Sequence, residues 1–399
     1  MKKLRFSVAE HAGFDDIKAF YERLLEPIER ERYINIDIET ISWEQLWQYV
    51  QQKSQALPDL DLSEVGSTWL GSLADTNAIQ VLPAEVSSRL GTSTIPETAW
   101  MSIRRISKTS VLFVPWLLDI RVIYYWKDHL RAAGVDEDRA FKSIDTMGET
   151  MEKLAAIGQA GWGAPTFSCI NTVYNLSSWI WSLGQDYLSP DGKSTALCDP
   201  TVLEAMTAYF ALGRYMPGPF DSYEAVSRAF KKKQITAFMC GPWSWRYFSE
   251  NRDEILDLNN IGVALPMGCP FIGGSSLVVW KQADKAAIDH AVALIQYLMG
   301  DYAQRELHRI KGLLPVNRNV LRMAPFSTDP NYKTMINGLP KGRFLSNSPL
   351  WSHIESSLVR VFGLVWGMLR QNDFRMKTDL LERHLAPLSA RFDRMLDMF

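Results

Sequence analysis

No stretch of these 399 residues is long and apolar enough to cross a membrane. The most suspicious run, Val111 to Leu118, falls far short of the roughly 18 residues a span needs and contains Pro115. An excess of either charge is missing too. The 43 Lys and Arg stand against 45 Asp and Glu, a net charge of −2, which argues against nucleic acid as a partner. Heptads never persist, and 19 prolines interrupt the chain, so a coiled coil is excluded. Cysteine is scarce. The four, Cys169, Cys198, Cys240 and Cys269, never form C-x-x-C, which removes a zinc ribbon and a thioredoxin-type redox site. Their spacing assigns no disulfide, and buried free thiols are the simpler reading. The six histidines never pair at ligand spacing, and H-E-x-x-H, G-x-S-x-G and the kinase signatures are absent. No metal or cofactor is therefore expected.

What is present is an ordinary folded composition, 47% apolar and 22% charged, with length for two or three domains. Aromatic residues stand out: 14 Trp beside 14 Tyr and 18 Phe. Met1-Lys2-Lys3 leads straight into an alternating segment, Leu4 to Ala9, with no apolar signal core. Either the protein stays in the cytoplasm or its export signal has been removed. Periodicity predicts a strand at 4–9, a helix over Phe14 to Arg30, a strand at 34–38, a helix opened by the capping pattern Ser42 to Gln45, and a strand at 60–65. That order implies a parallel sheet with helices on its faces. Two β-rich runs follow, Val111 to Pro115 and Arg121 to Trp126, separated by 116–119. Helical patterns then cover 138–157, 171–183, 200–215 and 222–232. Strand-like runs lie at 235–239, 261–265 and 275–280, and helical periodicity returns at 285–299, 350–370 and 372–398. No low-complexity linker divides the chain, so two α/β lobes crossed more than once are expected.

Several familiar patterns are decoys. Gly192-Lys193-Ser194 would need a glycine at Tyr187 to complete a P-loop, and Gly158, Gly161 and Gly163 do not make a dinucleotide fingerprint. Four other segments carry more. Gly241-Pro242-Trp243-Ser244-Trp245 follows a strand, which places both indoles in a loop or first helical turn. An indole there suits the C–H face of a sugar, while hydroxyls bond at its rim; the same residues would also serve as core anchors. Asp119 and Arg121, two apart on an extended segment, share a side and offer acceptor and donor to vicinal hydroxyls, or form a plain ion pair. Gly66-Ser67-Thr68-Trp69 follows a strand, where α/β sheets bind ligands, and also reads as a helix cap. Phe271 to Ser276 contains paired glycines, Gly273 and Gly274, which allow close approach of backbone to a ligand or to another strand.

In this order and at these distances, the segments resemble the carbohydrate-binding members of the extracellular solute-binding protein family that serve ABC importers, maltose-binding protein being the familiar relative. Similar stretches run from Pro58-Asp59-Leu60 to Trp69, from Val114-Pro115-Trp116 to Tyr125, and from Tyr174-Asn175 through Trp179-Ile180-Trp181 to Lys193. They continue at Ala237 to Trp245, Phe271 to Ser275, and Lys311-Gly312-Leu313-Leu314-Pro315. Gln185 stands where many relatives have a second glycine.

The resemblance implies an α/β, two-lobed periplasmic-binding-protein fold of type II, with a ligand cleft between lobes and three hinge crossings, near 116–120, 267–271 and 312–321. It implies an N-terminal lobe of 1–116 plus 271–318 and a C-terminal lobe of 117–270 plus 319–399. It implies ligand contacts at His11, Trp43, Ser67, Trp69, Asp119, Arg121, Tyr174, Trp179, Trp243, Gly273, Gly274, Ser275 and Trp351, and no catalysis. The expected partners are a small carbohydrate and an ABC transporter membrane permease, with no nucleic acid. The protein is expected to be a monomer, periplasmic or at the cell surface after export. Closure of the lobes on ligand would signal occupancy. A carbohydrate-active enzyme, which needs two placed carboxylates, and a sugar-sensing input domain are the competing readings.

Overall fold

β1 (Lys2–Ala9) and β2 (Ile34–Ile41) run parallel, in register from Lys2 opposite Ile34 to Ala9 opposite Ile41. Ile34, Ile36 and Ile38 are buried while Asn35 and Glu39 are exposed, the period of two that the sequence announces. The helix Ile17–Arg32 links the two strands and lays Phe20, Tyr21, Leu24, Leu25 and Ile28 on the core. Asp16 caps it by accepting from the Ala19 N–H at 2.8 Å, and left-handed Tyr33 ends it. β3 (Leu62–Gly66) pairs parallel with the other side of β1. The computed structural model describes residues 2–10, 16–55, 59–82, 95–104, 106, 110–250, 256–281 and 285–398. Met1, His11, Phe14 and Pro58 lie outside the described residues.

The first sheet is completed by β4 (Phe113–Ile120), β9 (Ile272–Val279) and β10 (Leu314–Pro315), in the order β10-β4-β9-β3-β1-β2. β9 runs antiparallel to β3, from Leu62 opposite Val279 to Gly66 opposite Ser275, and β10 antiparallel to β4. The sheet is thus mixed rather than all parallel. The second sheet joins β5 (Val122–Trp126), β6 (Trp162–Gly163), β7 (Ala237–Cys240) and β8 (Ile261–Ala264) in the order β6-β7-β5-β8. The chain divides into two compact units. Unit 1 is Met1–Asp119, Gly273–Asp329 and Ser346–Trp351; unit 2 is Ile120–Ile272, Pro330–Leu345 and Ser352–Phe399.

Three expectations are corrected. The segment 116–119 is not a break between strands: β4 runs on to Ile120, buried at every position, so no alternation betrays it. The helix expected from 138 starts at Ile144, where Ser143 and Thr146 form a reciprocal capping box. The last helix is Thr378–Leu396, not 372–398, because Asp373 and Phe374 have positive φ and interrupt the pattern. The helices Pro242–Glu250, Asp301–Lys311 and Pro330–Gly338 went unread. Asp301–Lys311 ends on Gly312 at φ 69°, whose N–H returns to His308 O at 2.8 Å and turns the chain into β10.

Gly274 shows why glycine is needed in β9. Its φ is 124°, and a Cβ would lie 2.1 Å from the Leu117 carbonyl oxygen and 3.0 Å from the Asp119 nitrogen. The close approach is therefore to β4 backbone. Gly148 contrasts with it: it lies within the helix Ile144–Ala156 with nothing within 4 Å of an added Cβ. Gly274→Ala should lose at least ~2 kcal/mol in urea unfolding, from backbone strain plus collision. Gly148→Ala should gain ~0.5–1 kcal/mol. Equal midpoints for the two variants would refute the assignment.

Candidate ligand-binding site

Arg121 occupies the single position between β4 and β5, and its N–H donates to Phe271 O at 3.0 Å. The side chain is buried, 3% exposed. Its guanidinium carbon lies 4.7 Å from the ring centre of Trp243 and 5.4 Å from that of Tyr174. Tyr174 stacks on Phe271, with ring centres 4.4 Å apart and planes 5° from parallel. A cation held against two π faces away from water gains about 2 kcal/mol per good contact. The planar guanidinium also keeps donors in its own plane for an incoming acceptor.

Trp243 is placed by the residues just before it. β7 ends at Cys240, Gly241 makes the bend, and Pro242 opens the helix Pro242–Glu250, where a missing N–H costs nothing. Tyr124 Oη donates to Gly241 O at 2.8 Å and fixes the bend. A Cβ on residue 241 would lie 2.0 Å from the Trp243 ring, so the indole lies directly on the glycine. Trp243 stays half-buried, whereas Trp245, two residues on, is 3% exposed. The two indoles that sequence alone leaves equivalent are thereby separated into a partly open ring and a core ring.

The helix Ile170–Ser182 supplies Tyr174 from its second turn and Asn175 beside it, the latter 3.5 Å from Tyr223 Oη. Burial raises the pKa of the Tyr209 and Tyr223 hydroxyls and of the Cys169 thiol, with Arg121 pulling all three down. All three remain neutral at neutral pH. None of the four cysteines is in a disulfide. Trp179, expected as a ligand contact, is 1% exposed and edge-on to Tyr209 and Trp162, with ring centres 5.0 and 6.4 Å away. That is a core position, reached because its helix is buried over most of its circumference.

On unit 1, Trp69 is 2% exposed, with the rings of Trp43 and Trp47 each 5.3 Å from it. Trp43 stacks at 28°, Trp47 tilts at 35°, and the Gly66 backbone lies against the indole. Trp69 is a backing for the half-buried Trp43 rather than an open face itself. Trp47 was missed, although its spacing of four from Trp43 on one helix puts the two side by side. Ser67 is half-buried at the start of the 3-10 turn after β3. Asp119, near the end of β4, is 5% exposed. Gly273 and Ser275 lie in β9 with Gly274, and Ser275 Oγ is buried with no hydrogen-bond partner among the described residues. Trp351, opening the helix Trp351–Gln371, is fully buried. A polar depression of about 400 Å³ lies on this unit, walled by Glu10, Thr40, Ser42, Gln45 and Tyr49 among others. Among the described residues no group of His, Cys, Asp and Glu could hold a metal ion, and no helix is long and apolar enough to cross a membrane.

Residues 24–334 match the sequence profile of the bacterial extracellular solute-binding proteins. A binding protein of Brucella abortus strain 2308 is 24% identical over 365 residues, covering 88% of this chain and 85% of its own length. Among solved structures, the ABC transporter solute-binding protein of Thermotoga lettingae bound to α-D-tagatose superposes with a TM-score of 0.80 at 16% identity, over 99% of this chain and 100% of that one. The sugar-binding protein MalE of Xanthomonas citri gives a TM-score of 0.80 at 20% identity, over 99% and 97%. At these identities the structural likeness establishes the fold: two α/β lobes of the periplasmic sugar-binding type.

The division between the two indoles has a measurable consequence. Trp245→Ala should destabilise by ~3–5 kcal/mol, as deletion of a buried Trp does. Trp243→Ala should leave the melting temperature of the unliganded protein within a few degrees. Calorimetry in which Trp243→Ala is the more damaging change would reverse the assignment.

Proposed function

Because the chain belongs to the bacterial extracellular solute-binding protein family, we propose that it is the receptor of an ABC importer and captures a carbohydrate without chemical change. The observation that carries this reading is Trp243: an indole bedded on glycine, partly open, with a buried guanidinium at 4.7 Å. Its apolar face matches the C–H side of a sugar ring, and the Arg121 N–H groups match the hydroxyls around that ring. Removing roughly 80–100 Å² of apolar contact from water at ~25 cal/mol per Å² contributes about 2 kcal/mol, or some thirtyfold in Kd. The sugars named for the structural neighbours, tagatose for one and an unspecified sugar for the other, support the ligand class.

Tyr174 braces Arg121 in this reading. Further ligand contacts are proposed at His11, Trp43, Ser67, Asp119, Gly273, Gly274 and Ser275. Trp69, Trp179 and Trp351 are retained as the packing behind such contacts. The partner that receives the ligand is an ABC membrane permease, and the protein works as a monomer in the periplasm or at the cell surface.

A thermal-shift panel of monosaccharides, oligosaccharides, polyols and amino acids tests the ligand class. A ligand present at 100 times its Kd stabilises by ~2.7 kcal/mol. The expected result is a rise in melting temperature with at least one carbohydrate and with no amino acid; the reverse pattern sinks the proposal. For the carbohydrate found, Trp243→Ala should lose at least tenfold in affinity. Gly241→Ala should lose about as much, since an added Cβ displaces the ring, and unchanged titrations for both variants would dismiss the stacking contact.

A further inference from the structure

β1 is flanked by two parallel neighbours, but its pairing with β3 stops early. The register runs through Phe6 opposite Leu62 and Ser7 opposite Ser63, where the two hydroxyl oxygens meet at 2.6 Å. Beyond that point side chains replace the ladder. The Ala9 N–H donates to Glu64 Oε2 at 2.8 Å, and Lys311 Nζ donates to Ala9 O at 3.4 Å. Lys311 also donates to Glu64 Oε2, and both side chains are completely buried. On the other side of β1 the pairing with β2 continues, and the Glu10 N–H donates to Ile41 O at 2.8 Å. So the end of β1 is held on one edge by strand and on the other by a buried ion pair.

Burying two charges is expensive, and an apolar pair of similar volume often serves stability as well or better. A pair kept in such a place invites a role beyond stability. Lys311 lies 4.8 Å from the ring centre of Trp116 and 5.8 Å from that of Tyr21, which shield it from water. It is the last residue of its helix before the Gly312 turn, so it cannot shift without moving that turn. What the pair holds is the residue before Glu10, and Glu10 walls the polar depression with Thr40, Ser42 and Gln45.

We infer that Glu64 and Lys311 are positioning residues: Glu64 holds the Ala9 N–H and Lys311 the Ala9 carbonyl, and the pair so keeps Glu10 at the wall of the polar depression. The link to ligand rests on the carbohydrate-receptor reading; the clamp on Ala9 does not. Glu64→Leu with Lys311→Met removes the charges and keeps the volume. In the full chain, this double variant should melt within a few degrees of the parent. Its Ala9 amide should exchange hydrogen at least tenfold faster, with Leu4 and Phe6 unchanged. Its affinity for the carbohydrate giving the largest thermal shift should fall at least fivefold. Unchanged Ala9 exchange, or unchanged affinity with exchange accelerated, overturns the inference. If the double variant does not fold, Glu64→Gln with Lys311→Met carries the test. Neutral at both sites but still offering the Ala9 N–H an oxygen, it should keep the Ala9 amide protected while losing the hold on the Ala9 carbonyl, so affinity should still fall; faster Ala9 exchange, or full affinity, in the folded variant overturns the inference. Should no carbohydrate bind the parent protein, the functional reading fails while the exchange measurement still decides the clamp.

Discussion

The aromatic face around Arg121 depends on one steric constraint: residue 241 has no side chain. Any Cβ there would penetrate the Trp243 ring, so glycine alone lets the indole lie back against the bend after β7. With the ring in that place, the Arg121 guanidinium has a face to rest on, and Tyr174, braced by Phe271, supplies a second. Local backbone geometry thus determines an aromatic surface, and that surface makes burial of an unusually exposed kind of charge tolerable. A flat apolar patch with fixed donors at its margin is the arrangement that the proposed capture of a carbohydrate calls for.

Unit 1 shows the same economy in a different arrangement. Trp69 gives up its own faces to Trp43 and Trp47, which makes Trp43 a supported platform instead of a swinging side chain. Gly274 lets β9 press against β4 near Asp119, and the Glu64–Lys311 pair holds the end of β1. In each case a buried residue fixes the place of a neighbouring one. Pre-organisation of this kind lowers the ordering cost that association must overcome.

The order of elements was legible because its signals are local. Alternation at Ile34, Ile36 and Ile38 and the stripe of Phe20, Tyr21 and Leu24 specify a strand and a helix wherever the chain goes. β4 was read as broken because burial on both faces erases alternation, and the reversed direction of β9 and β10 is a tertiary fact with no local trace. The site was legible to the level of segment. Gly241-Pro242 announces that an indole is presented, but only folding separates half-open Trp243 from buried Trp245. Trp69, Trp179 and Trp351 resemble ligand residues in sequence because the aromatics that touch a ligand and the ones that back them use the same side chain. Glu64 and Lys311, 247 residues apart, are ordinary charges in the sequence that only the fold brings together.

The most direct measurement is a crystal structure with the carbohydrate that stabilises the protein most. The predicted result is a sugar whose C–H face lies within about 4 Å of the Trp243 indole, with at least one hydroxyl hydrogen-bonded to Arg121. A well-ordered ligand bound elsewhere, with Trp243 and Arg121 untouched, would contradict the assignment.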